Sequence, residues 1–170
     1  LTSSGSKADV FIMKLDSAKN LIWAKKISGT DSLTVNEMKI DNAGNMYITG
    51  RFNGSANLDP NGGGAGTVSS VGKFDGYVAK LDTAGTFAWV KQIGTVEDDN
   101  SSSIAIDGSG NVYTTGAFGG RLGSTIPSLP GNFNLPDNPP FIVNTNGNSD
   151  IFIQKLTSAG QIDWVSNYGG

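Results

Sequence analysis

Apolar positions come in short runs of about half a dozen residues, rich in Val, Ile, Tyr, Phe and Thr, and each run is closed off by Gly, Asp, Asn or Ser. Runs this short between turn formers predict strands rather than helices. In the middle of the chain they fall at about 38–41, 45–52, 76–81 and 86–93. Two of these runs do not alternate as a half-wet sheet would. Around Val10, side chains Phe11, Met13 and Leu15 occupy one face and Val10 and Ile12 the other, and Tyr77-Val-Ala is apolar on both faces. Such strands are expected to be covered on both sides.

The runs recur in order. Asp9-Val-Phe-Ile-Met-Lys-Leu-Asp16 returns as Asp75-Gly-Tyr-Val-Ala-Lys-Leu-Asp82 and as Asp150-Ile-Phe-Ile-Gln-Lys-Leu-Thr157, each followed at a fixed distance by Trp23, Trp89 or Trp164. Ile40-Asp41-Asn-Ala-Gly44-Asn45-Met-Tyr47-Ile-Thr49-Gly50 returns as Ile106-Asp107-Gly-Ser-Gly110-Asn111-Val-Tyr113-Thr-Thr115-Gly116. The first step is 66 residues and the second 75, the extra length lying between Gly116 and Asp150, where Pro127, Pro130, Pro136, Pro139 and Pro140 predict a loop insertion. Asp-x-x-Gly tetrads at 41, 82 and 107, and Asp16-x-x-Lys19, predict tight hairpin turns: the Asp carboxylate accepts backbone amides and the fourth residue takes positive φ. Calcium is the competing reading of these turns, but one Asp per turn is far from the six or more oxygens that the ion needs. Four antiparallel strands repeating at this period predict an all-β chain of β-propeller blades. The repeated Trp is expected to pack between blades, with a sugar-stacking platform as the alternative.

Composition narrows the chemistry. With no His and no Cys among 170 residues, the chain can form no zinc site, no Ser-His-Asp triad, no Cys nucleophile dyad and no disulfide. A net charge of -3 and only two arginines, Arg51 and Arg121, leave no basic stripe for nucleic acid. No apolar run approaches the length of a membrane-spanning helix. The missing initiator Met suggests a processed or excised chain.

The linked motifs at Asp75 to Trp89, at Gly94 with Asp98 and Asp99, and at Ile104 to Gly116 resemble the bacterial β-propeller repeats called SBBP. The resemblance covers nearly the whole chain; Ser32 and Leu33 of the first unit stand where the family pattern has paired acids. It implies an extracellular or cell-surface propeller, one module of a longer bacterial protein, often a type IX secretion cargo. Counting strands, 1–32 is expected to be the outer half of a blade, 33–99 a blade, and 100–170 a blade carrying the proline-rich insertion at 117–149. These are about two and a half blades of one domain, whose ring is completed by further blades of the same protein or by other copies.

In a propeller the first-second and third-fourth turns share one face. The Asp-x-x-Gly turns are therefore expected opposite the long segments 51–74, 94–103 and 117–149, and binding residues are commonly carried on such loops. The candidates there are Arg51, Asp59, Asp98, Asp99, Asn100 and Arg121, with Phe133, Phe141 and Asp137 nearby. The stretch Gly62-Gly-Gly-Ala-Gly66 has no Lys-Ser after it and is read as a flexible loop, not a phosphate cradle. Asp98 and Asp99 are adjacent and expected to point apart, a poor acid and nucleophile pair. The expected function is a non-catalytic scaffold or a surface binding protein or glycan, without cofactor. The alternative is part of a polysaccharide-acting enzyme with catalytic residues outside this chain.

Overall fold

The computed structural model describes residues 9–120, 130–137 and 139–169. They form twelve strands: β1 (Val10–Leu15), β2 (Leu21–Gly29), β3 (Leu33–Ile40), β4 (Met46–Asn57), β5 (Thr67–Leu81), β6 (Phe87–Gly94), β7 (Asn100–Ile106), β8 (Val112–Gly119), β9 (Pro130–Leu135), β10 (Ile142–Asn144), β11 (Ser149–Leu156) and β12 (Ile162–Tyr168). Among the described residues, helical structure is limited to the 3-10 turn Gly64–Gly66. All pairings are antiparallel. Two full blades result, β3-β4-β5-β6 and β7-β8-β11-β12, preceded by the two-stranded β1-β2 unit. The architecture is a partial β-propeller.

The five tight turns repeat one hydrogen-bond design. In the second, Asp41 Oδ1 accepts the amides of Ala43 and Asn45, two and four residues on, and the Gly44 amide donates to the Asp41 carbonyl. Gly44, Gly85, Gly110 and Gly160 take φ between 71° and 85°, and Lys19 adopts φ 67° at the matching place. Hydrogen bonds to the turn carboxylates hold them below the ordinary range. The Asn20 and Asn111 side chains act most strongly on Asp16 and Asp107, and the Thr86 amide on Asp82. At Asp41 burial pushes upward, but the bonds from Asn45, Tyr47 and Ala43 together outweigh it.

Apolar faces of neighbouring units meet. Tyr77, Ala79 and Leu81 of β5 pack toward Ile12 and Ile27 of the first unit, while Val78 and Tyr47 face Ile104, Val112 and Leu156 of the third. Tyr77, Val78 and Ala79 are fully buried, as two-sided coverage requires. The expectation of two-sided coverage fails for β1: Phe11, Met13 and Leu15, which match Tyr77, Ala79 and Leu81 in the repeat, are 61%, 53% and 45% exposed, because no described strand packs against that face. Trp23 and Trp89 are half-buried and Trp164 is exposed. Each of the first two lies against the glycine of the next unit's turn, Gly85 or Gly160.

The segments between second and third blade strands are not free loops. β4 and β5 run past the blade as a long hairpin whose Ala56 and Asn57 pair with Gly29 and Ser28 of β2. In the third unit, β9 and β10 within the expected proline-rich insertion form a hairpin that pairs with β6 through Gln92 and Gly94. Each hairpin thus folds back onto the outer strand of the preceding unit. An outer-strand lysine secures it: Lys25 Nζ donates to Asn61 Oδ1 at 2.7 Å, and Lys91, 66 residues on, pairs with Asp137 and approaches Asn134. Leu58 and Val68 of one hairpin and Phe133 of the other are buried in the cores so formed.

Candidate functional site

Four of the six residues singled out from the sequence come together. Arg51, Asp98, Asp99 and Asn100, with Ala117, Gly120 and Ser149, line a cleft of about 340 Å³ where β7 begins and β8 ends. Arg51 projects from β4 with its guanidinium 4.5 Å from the Phe74 ring. The Asn100 carboxamide accepts from Asn36 Nδ2 at 2.7 Å and donates to Ser102 Oγ, tying the inner strands of two blades at the cleft wall. Asp59 lies elsewhere. It sits in the hairpin tip beside Asn61 and Gly63, on the side where Lys25 Nζ bonds both Asn61 and the carbonyl of the tight-turn residue Gly85. Arg121 lies outside the described residues. Phe133 is buried in a core and Phe141 is partly exposed in a separate depression with Lys91 and Asp137.

Asp98 and Asp99 divide their roles. Asp99 is buried: its carboxylate accepts the Thr95 amide at 2.6 Å, the Thr95 hydroxyl at 3.0 Å and the Gly119 amide at 2.9 Å, so it clasps the β6–β7 connection to the end of β8. Asp98 lies on the cleft lining and is more exposed. Burial pushes the Asp99 carboxyl up to about 7 against the pull of the Gly119 and Thr95 amides, and the charge of Asp75 adds to the rise. Asp75, which opens the repeated strand motif, is fully buried, accepts Gln92 Nε2 at 2.6 Å and the Val71 amide at 3.1 Å on Oδ2, and is pushed by burial up to about 6. Its Oδ1 has no hydrogen-bond partner. Asp150 repeats the arrangement, held by Asn167 Nδ2 and the Asn146 amide, and its Oδ1 is likewise unpartnered.

Sequence reasoning read Asp75 and Asp150 only as parts of a strand motif. The signal that could have marked them is the glycine at the end of the cross-strand neighbour: a side chain at Gly94 or Gly169 would collide with the Asp75 or Asp150 carboxylate. Among the described residues, no group of three acidic side chains is placed to hold a metal ion, and no helix is long and apolar enough to cross a membrane.

The buried pair sets a pH dependence. The unfolded chain releases these protons near pH 4, whereas the folded chain holds them until about pH 6 and 7. Their contribution to stability is therefore most favourable below pH 4 and is lost as pH rises through 6 to 7. Asp75→Asn keeps an oxygen for Gln92 and Val71 and removes the charge. It is expected to raise stability by up to about 3 kcal/mol at pH 8 and to change it little at pH 4. Urea melts at the two pH values check this; equal effects at both would show that Asp75 ionises without penalty.

The stretch holding Asp98, Asp99, Asn100 and the β7–β8 turn is the part of the chain that a known family matches. Residues 88–117 match the family described as Beta-propeller repeat. That stretch is similar to an SBBP repeat. The repeat begins on the outer strand of one blade and ends on the second strand of the next, so it spans the blade boundary and one wall of the cleft. The chain is also similar to an uncharacterized WD repeat-containing protein, L264, of Acanthamoeba polyphaga mimivirus, 23% identical over 178 residues that cover 99% of this chain and 12% of the relative. It is 26% identical over 125 residues to the regulatory protein FlaEY of Caulobacter vibrioides, covering 74% of this chain and 13% of that protein. The chain thus spans about an eighth of the length of each of these relatives.

Proposed function

We propose that this chain is a non-catalytic scaffold segment of a larger propeller protein, placed outside the cell or on its surface, which presents the Arg51–Asp98–Asn100 cleft to a polar partner, a glycan or a protein surface. The observation that carries this reading is the division of polar residues between the two faces. On the turn face the repeated polar side chains are committed internally: Asp16, Asp41, Asp82 and Asp107 to their own turns, Tyr47 and Tyr113 to Asp41 and Asp107, and Lys14 and Lys80 to carbonyls of the next unit. Groups bound in this way serve the repeat. The unrepeated polar residues Arg51 and Asp98 line an open cleft on the other face, the usual place for recognition on a rigid scaffold.

The supporting experiment is a printed glycan array and a cell-surface protein extract probed with the labelled chain. Signal on either is expected to fall about tenfold in Arg51→Ala and to persist in Asn42→Ala on the turn face, a loss of about 1.4 kcal/mol of binding. Loss in Asn42→Ala alone would place recognition on the opposite face. Replacing the whole 117–149 segment is unsuitable as a test, because it would remove the buried Phe133 and strip β6 of its β9 partner. The alternative is a share in a polysaccharide-acting enzyme whose catalytic residues lie in blades outside this chain. Release of reducing ends by the parent protein, kept when Arg51 and Asp98 are replaced by Ala, would favour it. Fractionation of the producing cells tests the extracellular placement.

A further inference from the structure

Two boundaries between units are built alike. On the outer part of each unit stand a Trp and a Lys, and against them lies the third-fourth turn of the following unit. Lys14 Nζ donates to the Thr83 carbonyl at 2.9 Å, and Trp23 lies under Gly85, where an added Cβ would come within 3.2 Å of the indole. At the next boundary Lys80 Nζ donates to the Ser158 carbonyl at 3.1 Å, Trp89 Nε1 to the same oxygen at 3.3 Å, and a Cβ on Gly160 would stand 2.6 Å from Trp89 Cδ2. The contact reads two features of the turn: a carbonyl at its second residue and the absence of a side chain at its fourth.

The third unit carries the same reader. Tyr113 and Trp164 are edge to face with ring centroids 6.3 Å apart at 63°, against 6.1 Å and 65° for Tyr47 and Trp89. Lys155 Nζ lies 5.8 Å from the Tyr113 ring, as Lys80 Nζ lies 5.0 Å from Tyr47. Here Trp164 is 38% exposed and Ile153, which repeats the fully buried Val78, is 37% exposed. Lys155 turns to Asp163 at 2.8 Å. The first unit differs on the opposite side. Its turn, Asp16-Ser-Ala-Lys19, has lysine where the seated turns have glycine, in the same left-handed conformation. A side chain there, set against a Trp in the geometry of Gly160 and Trp89, would overlap the indole.

We propose that the Trp164–Lys155–Tyr113 surface is a docking site for the glycine-bearing third-fourth turn of a further blade, and that Lys19 bars the first unit of a second copy of this chain from taking that place. The occupant follows from continuity with the two filled boundaries, both of which use the same Trp and Lys and the second of which also has the same Tyr. Lys19 therefore fixes order: this first unit does not follow a Trp-bearing blade of the kind seen here. The consequence is that copies of the chain do not join head to tail.

The test extends the full chain after Gly170 with a second copy of residues 30–94, which preserves the spacing between Trp23 and the unit that follows it. Tryptophans are replaced by 5-fluorotryptophan, and the 19F resonance of Trp164 is assigned by its loss in Trp164→Phe. The extension is expected to shift that resonance and to reduce its solvent isotope effect to that of Trp89, and Gly85→Lys in the appended copy is expected to restore both. Lysine is compatible with the turn itself, as Lys19 shows, so a folded appended hairpin in that variant is checked by its amide signals. Protection of Trp164 that survives Gly85→Lys would overturn the glycine requirement. The unextended chain is expected to sediment as a monomer, and a concentration-dependent oligomer with Trp164 protected would overturn the role given to Lys19.

Discussion

Gly116→Ala is expected to lower stability by about 3 kcal/mol or more, a large share of the roughly 5–15 kcal/mol by which a domain is usually stable. Gly116 ends the repeated Tyr-x-Thr-Gly motif on β8 and pairs with Ser101 beside the bulge between Ser101 and Ser103. A Cβ there would overlap the carbonyl oxygen of Asn100 and approach Phe152 Cε1 to 3.0 Å. Relief requires the inner strand to move away from the rest of the blade, because a backbone atom cannot rotate aside. Gly50 has the same relation to the Thr34 carbonyl and the Tyr77 ring, so Gly50→Ala is expected to behave alike in the second unit. Gly108→Ala is the control: nothing lies within 4 Å of its added Cβ, and its effect is expected within about 0.5 kcal/mol. Urea unfolding of the three variants decides; a neutral Gly116→Ala would mean the bulge absorbs a methyl group.

Phe152→Ala is expected to cost about 3 to 5 kcal/mol. Phe152 on β11 is fully buried with Phe118 on β8 and Phe133 on β9, and the three rings meet edge to face at centroid distances of 5.1 to 6.3 Å. Phe133 belongs to the hairpin that pairs with β6, so this cluster joins two strands of one blade to the hairpin sealing the previous one. The cavity left by Phe152 should therefore loosen β9 as well as β11. Hydrogen exchange is expected to show β9 amides losing protection together with those of β8 and β11. A loss confined to β11, or a change under about 1 kcal/mol, would show that the hairpin packs independently of the blade.

Strand positions, the repeat and the tight turns were legible because each depends on local chemistry written more than once. Asp82-x-x-Gly85 needs only its own carboxylate and a residue tolerant of positive φ, and the same logic appears at Asp41 and Asp107. The cleft was legible in part, since Arg51, Asp98, Asp99 and Asn100 are unrepeated polar residues near the same ends of inner blade strands. Asp59 could not be placed in this way: its hairpin turns over the rim and runs back along β2, a path set by pairing between units. The length of 51–74 looked like a loop because it lies outside the four-strand pattern, yet its partner is the neighbouring unit's edge. Burial of Asp75 was hidden for a related reason, as its donors Val71 and Gln92 come from the extended hairpin and the outer strand. Exposure of Phe11, Met13 and Leu15 is a property of what packs beside the strand, which its own alternation does not contain.

The fold-back hairpins also bear on how such a chain emerges from a ribosome. An outer strand presents a row of unsatisfied amides and carbonyls, a template for pairing with any other extended chain. β6 finishes at Gly94, but the strand that covers its far end starts only at Pro130, so a nascent chain carries that bare edge until the following unit has been largely translated. β2 waits in the same way for Ala56 and Asn57. Each of the first two units is thus capped by its successor, and the interval between the two is when partly made chains are most open to sticking to one another.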